Sequence, residues 1–457
     1  MKKLLSPRDI VRSGLCIGCG SCVAQTSPDT AQMAFDKYGE LKPQGFHVWY
    51  RNVSESFTRT CPFSPQARNE DQLAAPLFPE AAHSDSKIGR FQKAYVGHVE
   101  ETDFRLQGSS GGMVSWVAAE LLRKGFVDGV VHVKALEDPQ QNGKFFQYEL
   151  SRSETEIRAG AKSRYYPTEL SGMLRLIREI PGNYAVVGVP CFIKAVHLLR
   201  LEDPVLRERI KFTLGLFCGH MKSARFVESF VWQMQVPVHE IKQVEFRHKD
   251  PGRPANWYNA RLTLQNGTKV NKDWWHLADG DWGAGFFMNS ACNYCDDVVA
   301  ETADVAFGDA WVEPYSSDGS GTNVVIARSS LIESLIDNAI QEGRLQLKEV
   351  DCRFVEQTQA AGFRQRREGL AYRLTWRQEG IKPCKRVAPD SKSQTKLRKL
   401  IYRMRFYISA ASHKVFNLAR KTNQPWIYIQ WARLTTSVYH AITYNQGKLG
   451  QLFKWLK

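Results

Sequence analysis

Three cysteines at successive two-residue gaps, Cys16-Ile17-Gly18-Cys19-Gly20-Ser21-Cys22, constrain this chain more than any other feature. Such a triplet wraps three thiolates around one metal centre, and the intervening glycines permit the tight backbone that the wrapping needs. Zinc is the plain alternative, but zinc sites are built from paired C-x2-C units rather than an even triplet. The spacing therefore points to a 4Fe-4S cluster, with the remote Cys61, followed by Pro62, as fourth ligand.

Four more cysteines are dispersed: Gly188-Val189-Pro190-Cys191, Leu216-Phe217-Cys218-Gly219 and Cys292-Asn293-Tyr294-Cys295. Cys191 and Cys218 each follow an apolar strand-like run, which places them at strand ends, and Cys292 with Cys295 forms a compact chelating pair. Four thiols suit one cluster; two buried structural cysteines and an isolated pair suit the spacing equally well. Cys352 and Cys384 have no partner by spacing and read as ordinary thiols. A third motif, Gln107-Gly108-Ser109-Ser110-Gly111-Gly112, runs into the helical pattern Met113 to Lys124. Its backbone N–H groups suit a phosphate or the polar edge of a flavin, although a turn with an N-cap would look the same.

Ten cysteines in a chain that starts with no apolar leader read as metal ligands of a cytoplasmic protein, and no apolar run is long enough to span a bilayer. Short β-rich runs (Ala94 to Gly97, Val130 to Val133, Tyr184 to Val187) alternate with helical patterns such as Phe192 to Leu201, so the body is expected to be α/β. The expected organisation is an iron–sulfur head at 1–66, a linker at 67–89, a body divided into 90–182 and 183–388, and a helical tail at 389–457 that is interrupted near Pro425. The net charge of +15 is concentrated in that tail, where residues 391–457 hold 13 Lys or Arg and no Asp or Glu, leaving +2 for the rest. With Tyr402, Phe406, Tyr407, Phe416, Trp426, Tyr428, Trp431, Tyr439, Phe453 and Trp455 interspersed, the tail suits an anionic membrane surface at the inner face. A helical appendage packed on the body is the alternative. Nucleic acid is disfavoured because no recognition motif accompanies the charge.

The order of these motifs resembles the beta-subunit family of coenzyme F420 (deazaflavin) hydrogenases and dehydrogenases, over about Ile10 to Arg328. Besides the cysteines, the matching segments are Asp103-Phe104-Arg105 leading to Ser109-Ser110-Gly111-Gly112, Val127-Asp128-Gly129-Val130, Ala161-Lys162-Ser163-Arg164-Tyr165-Tyr166 and Phe307-Gly308-Asp309-Ala310-Trp311. The resemblance implies an α/β body with a ferredoxin-like head, FAD beside a second 4Fe-4S cluster ligated by Cys191, Cys218, Cys292 and Cys295, and flavin contacts from Ser109, Ser110, Gly111, Gly112, Lys162, Ser163 and Tyr165. The chain departs from the family at Phe246-Arg247-His248-Lys249-Asp250, which reads as a solvated basic turn or as a site that steers an anionic substrate.

The function expected from these readings is a flavin-dependent oxidoreductase. It would relay electrons from ferredoxin or another redox donor through two 4Fe-4S clusters to FAD and a small organic substrate, as in polysaccharide biosynthesis. The alternatives are an electron-transfer subunit of a deazaflavin-using hydrogenase or dehydrogenase complex and a non-enzymatic metal-binding scaffold. No catalytic residue is identifiable; His98, His132, His220 and His248 qualify as proton donors only through the ordinary pKa of imidazole.

Overall fold

The computed structural model describes residues 4–377, 380–446 and 450. Its centre is an eight-stranded mixed sheet. The strands in chain order are β1 (Lys93–Val99), β2 (Gly129–Ala135), β3 (Phe146–Ser151), β4 (Tyr184–Gly188), β5 (Ile210–Leu216), β6 (Val305–Asp309), β7 (Asn323–Ala327) and β8 (Leu345–Val350). Across the sheet they lie β8-β1-β7-β6-β5-β4-β2-β3. The neighbours β2, β4, β5 and β6 run parallel, and antiparallel pairs close both edges. Every residue of β4 is buried. Tyr184 and Val186 face one core while Ala185 and Val187 face another, as a strand covered on both sides requires. On the second face packs the amphipathic helix α2 (Met113–Arg123), through Trp116, Val117 and Leu121.

The mixed α/β body and the helical end are as the sequence leads one to expect, and the boundary near Asn183 falls just before β4. That boundary is not a gap in the fold, because β2 and β4 pair directly across it. The stretch 67–89 corrects the expected linker. It carries helix α1 (Glu70–Leu77), capped by a reciprocal Asn69/Gln72 box, and Glu70 is buried with its Oε1 3.0 Å from Lys194 Nζ. Lys194 lies in α3 (Pro190–Glu202). Polar composition suggests a linker there, but these polar groups find partners far away in sequence. The head shares the core of the body: Leu5, Ile17, Phe57 and Phe63 pack into one cluster with Val186, Phe192 and Leu370.

The tail forms helices α4 (Lys396–Lys421) and α5 (Pro425–Tyr444), broken at Pro425 as expected. Of its aromatic residues, Tyr402, Phe416, Tyr428 and Tyr439 are core residues rather than surface anchors. With Ile408 and Ala432, Phe416, Tyr428 and Tyr439 fill a core shared with Phe226, Phe246, Trp274 and Phe287. Phe453 and Trp455 lie outside the described residues.

Candidate functional site

Both cysteine quartets converge. In the head, Gly18 and Gly20 take φ of +82° and +81°; a Cβ at Gly18 would stand 2.6 Å from Leu41 O, and one at Gly20 would stand 2.3 Å from Glu169 Oε2. These glycines let the loop turn Cys16, Cys19 and Cys22 inward. Cys61 arrives as the C-cap of the helix Glu55–Thr60. The four cysteines line one cavity, walled by Pro7, Ile10, Leu15, Ile17 and Phe63 among others.

Parallel pairing builds the second quartet. Gly188 of β4 is in register with Gly215 of β5, so the carboxyl ends of the two strands deliver Cys191 and Cys218 side by side. The short 3-10 turn Ser290–Tyr294 adds Cys292, and Cys295 follows as its cap. Cys191, Cys218, Cys292 and Cys295 line a cavity with Ile17, Phe63, Met221 and Arg366. Ile17 and Phe63 wall both cavities, so two side chains separate the quartets.

The donor chemistry tests what these cavities can hold. Burial pushes Cys16, Cys19, Cys22 and Cys61 above the ordinary thiol range, Cys19 to about 11, and repulsion from neighbouring sulfurs adds to it for Cys22 and Cys61. In the second quartet burial and mutual repulsion raise Cys191, while burial takes Cys218 to about 11 and Cys292 to about 12. Four thiols so placed require a cationic core to ionise. Among the described residues no three His, Cys, Asp or Glu are grouped closely enough to hold one metal ion. An all-sulfur donor set spread around a cavity fits a polynuclear iron–sulfur core better than a single zinc. Donors are in place around the sulfurs: Met221 N–H lies 3.3 Å from Cys292 Sγ, and the buried Arg366 Nη2 lies 3.9 Å from Cys218 Sγ while donating to Cys218 O (2.9 Å) and Gly219 O (2.7 Å). Arg366 has no sequence signal, standing 148 residues from Cys218.

The expected flavin-contacting loops also meet. Ser109 Oγ accepts from Ser163 N–H at 2.8 Å, and Ser110 Oγ donates to Thr322 O at 2.9 Å, so both hydroxyls serve the fold. Gly111 packs on Gly97 O, and Gly112 caps α2 at φ +86°. Among the described residues no acceptor meets the backbone N–H groups of Ser109, Ser110, Gly111 and Gly112, which open at the positive end of α2. Lys162 stands at φ +106° with Nζ 4.0 Å from Glu245 Oε1, and burial lowers its pKa. This set suits an anionic group. Tyr165 differs from the expectation, because its ring belongs to an aromatic cluster with Trp282 (4.7 Å), Phe246 (5.5 Å) and Trp274 (5.7 Å). Trp282 also stacks on His220 at 4.2 Å, two residues past Cys218, and so bridges the second quartet to the Tyr165 loop.

The solvated basic turn is corrected. Arg247 lies in the strand Ile241–His248, is buried, holds Asp309 through bonds of 2.9 and 3.2 Å and lies over the Tyr258 ring. Lys249 Nζ donates to Arg105, Ser110 and Ser320 carbonyls, tying the Ser109–Gly112 loop to its neighbours. Among the histidines, His132 Nε2 lies 2.8 Å from Ser151 Oγ, and burial lowers its pKa to about 4.

Comparison with known proteins decides the family. Residues 94–175 match the N-terminal model, and residues 182–352 the C-terminal model, of the coenzyme F420 hydrogenase/dehydrogenase beta subunit. Together they span more than half of the chain. The chain belongs to this beta-subunit family. The protein is therefore an oxidoreductase. Among similar curated proteins of Methanocaldococcus jannaschii, an uncharacterized protein is 24% identical over 361 residues, 75% of this chain and 91% of that one. A coenzyme F420-dependent sulfite reductase is 23% identical over 73% of this chain and 47% of its own length, so the chain spans about half of that enzyme. A chain of the F420-reducing [NiFe] hydrogenase complex from Methanosarcina barkeri shares the fold, with a TM-score of 0.50 and 17% identity over 66% of this chain and 99% of that one.

Proposed function

We propose that this beta-subunit-family protein is an electron-transfer subunit of an F420-dependent hydrogenase- or dehydrogenase-type oxidoreductase. The observation that carries the reading is the common wall: Ile17 and Phe63 are the shared barrier between two four-cysteine cavities, a separation suited to relay. In this reading residues 1–66 are a ferredoxin-type domain, Cys16, Cys19, Cys22 and Cys61 hold one 4Fe-4S cluster, and Cys191, Cys218, Cys292 and Cys295 hold another. The family description and two of the relatives name coenzyme F420, so the deazaflavin is the hydride carrier of this reading, and the FAD implied by resemblance would stand between it and the clusters as the one-to-two-electron switch. When bound, these groups supply one-electron transfer at the clusters and hydride transfer at the deazaflavin.

The chain's own residues then have definite tasks. The free N–H groups of Ser109 to Gly112 and the Lys162 ammonium bind an anionic coenzyme edge. Arg366 and Met221 N–H offset thiolate charge at Cys218 and Cys292. Trp282, wedged between His220 and Tyr165, fills the space between the second quartet and the coenzyme loops and excludes water from it. A partner that exchanges electrons with the head is the remaining requirement, and the match to the beta-subunit family favours a relay subunit over a reductase with its own organic substrate.

The test is anaerobic purification followed by iron, sulfide and zinc analysis and by F420 reduction with a reduced ferredoxin. Iron, sulfide and loss of the visible absorbance of the deazaflavin are expected. Zinc in place of iron would sink the proposal; iron with FAD bound and no F420 turnover would return the flavin reading.

A further inference from the structure

We infer that the outer face of the C-terminal helical pair is a docking surface for an anionic lipid bilayer. The two helices bury their inner stripes in the same core, Ile401, Ile408 and Phe416 from α4 and Tyr428, Ala432 and Tyr439 from α5. Their opposite stripes therefore both face away from the body. On α4 the outward positions Leu400, Tyr407 and Leu418 share a face with Lys396, Lys414 and Lys421, each one or two turns from the next; on α5 the outward positions are Trp426, Arg433 and Leu434. Tyr407, Trp426 and Leu434 are 67%, 62% and 68% exposed, as soluble packing alone does not require.

Charge decides the occupant. Residues 391–457 contain 13 Lys or Arg and no acidic residue, against +2 for the remainder of the chain. Among the described residues, Lys396, Lys414, Lys421 and Arg433 pair with no carboxylate. Aromatic and aliphatic side chains flanked by unpaired cations match an interface of acyl chains beneath anionic headgroups. Among the described residues no helix is long and apolar enough to cross a membrane, so the contact is one of lying on the surface. The inference does not depend on the coenzyme or on cluster loading.

The test is cosedimentation of the full chain with vesicles of phosphatidylcholine alone and of phosphatidylcholine with phosphatidylglycerol. Binding to the anionic vesicles only is expected, weakened by salt. Trp426→Glu/Leu434→Glu and, separately, Lys414→Glu/Lys421→Glu should each reduce partitioning at least about tenfold. Unchanged far-UV circular dichroism and iron content would show that these surface variants fold. Absence of vesicle binding, or binding indifferent to Trp426→Glu/Leu434→Glu, overturns the inference, as does tighter binding to a single-stranded oligonucleotide than to the anionic vesicles.

Discussion

At the scale of residues, the convergence of the cysteines was legible, the first three from their even spacing and the rest from their places beside strand ends and in a compact pair, whereas the polar groups around them were not. Arg366 reaches the Cys218 loop only through the tertiary fold, and no local pattern marks it. Its guanidinium is buried, with Nη2 3.9 Å from Cys218 Sγ, where it would offset the charge of the sulfurs once they ionise. If each quartet holds a cluster as proposed, Arg366→Gln is expected to lower the potential of the second by on the order of 50 mV, about a tenfold change in a one-electron equilibrium, with the head cluster unmoved. Potentiometric titration followed by electron paramagnetic resonance checks this, and an equal shift in both clusters would argue for a general loss of structure. Histidine chemistry makes a second prediction. Burial lowers His132 to about 4 and His197, which Arg200 also depresses, to about 3. The unfolded chain takes up these protons near pH 6.5 and the folded chain does not, so stability falls as pH drops from 6.5 toward these values. Each group contributes at most about 1.4 kcal/mol per pH unit. Urea unfolding at pH 7 and 5.5 measures the loss, and His197→Gln should flatten it.

At the scale of elements, strand runs and helix periodicity were readable, and so was the break at Pro425. What could not be read was which face each element buries, since that depends on partners remote in sequence. The segment 67–89 shows the cause most clearly. Its acidic residues look solvated until Glu70 meets Lys194 of α3, with Arg386 behind it. A polar stretch is a linker only if its charges stay in water. Glu70→Ala would leave Lys194 buried without its partner and is expected to destabilise the protein by about 3–5 kcal/mol, whereas Asp71→Ala, at an exposed position, should cost less than about 1 kcal/mol. Chemical denaturation of the two variants side by side checks the contrast. The tail follows the same logic: its composition marks an amphipathic element, but only packing shows that Phe416 and Tyr428 turn inward while Tyr407 and Trp426 turn outward.

At the scale of the whole molecule, strand order and the seating of the head on the body had no sequence signature, yet they create the arrangement on which the proposed relay depends. Ile17 comes from the head's cysteine loop and Phe63 follows its fourth cysteine, so the wall between the cavities is made entirely of head residues pressed against the body's quartet. Two clusters held there would be near neighbours, and each should be removable alone. The intact chain is expected to carry about eight irons, and Cys19→Ser or Cys292→Ser about four each. Two reduced clusters separated by one layer of side chains should also couple magnetically, broadening the spectrum of the intact protein relative to the sum of the two variants. If Cys292→Ser kept all of its iron, the second quartet would be structural thiols and the relay would end at the head. If iron halved in both variants but the spectra simply added, the wall would be a barrier, and electrons would have to enter the body by another route.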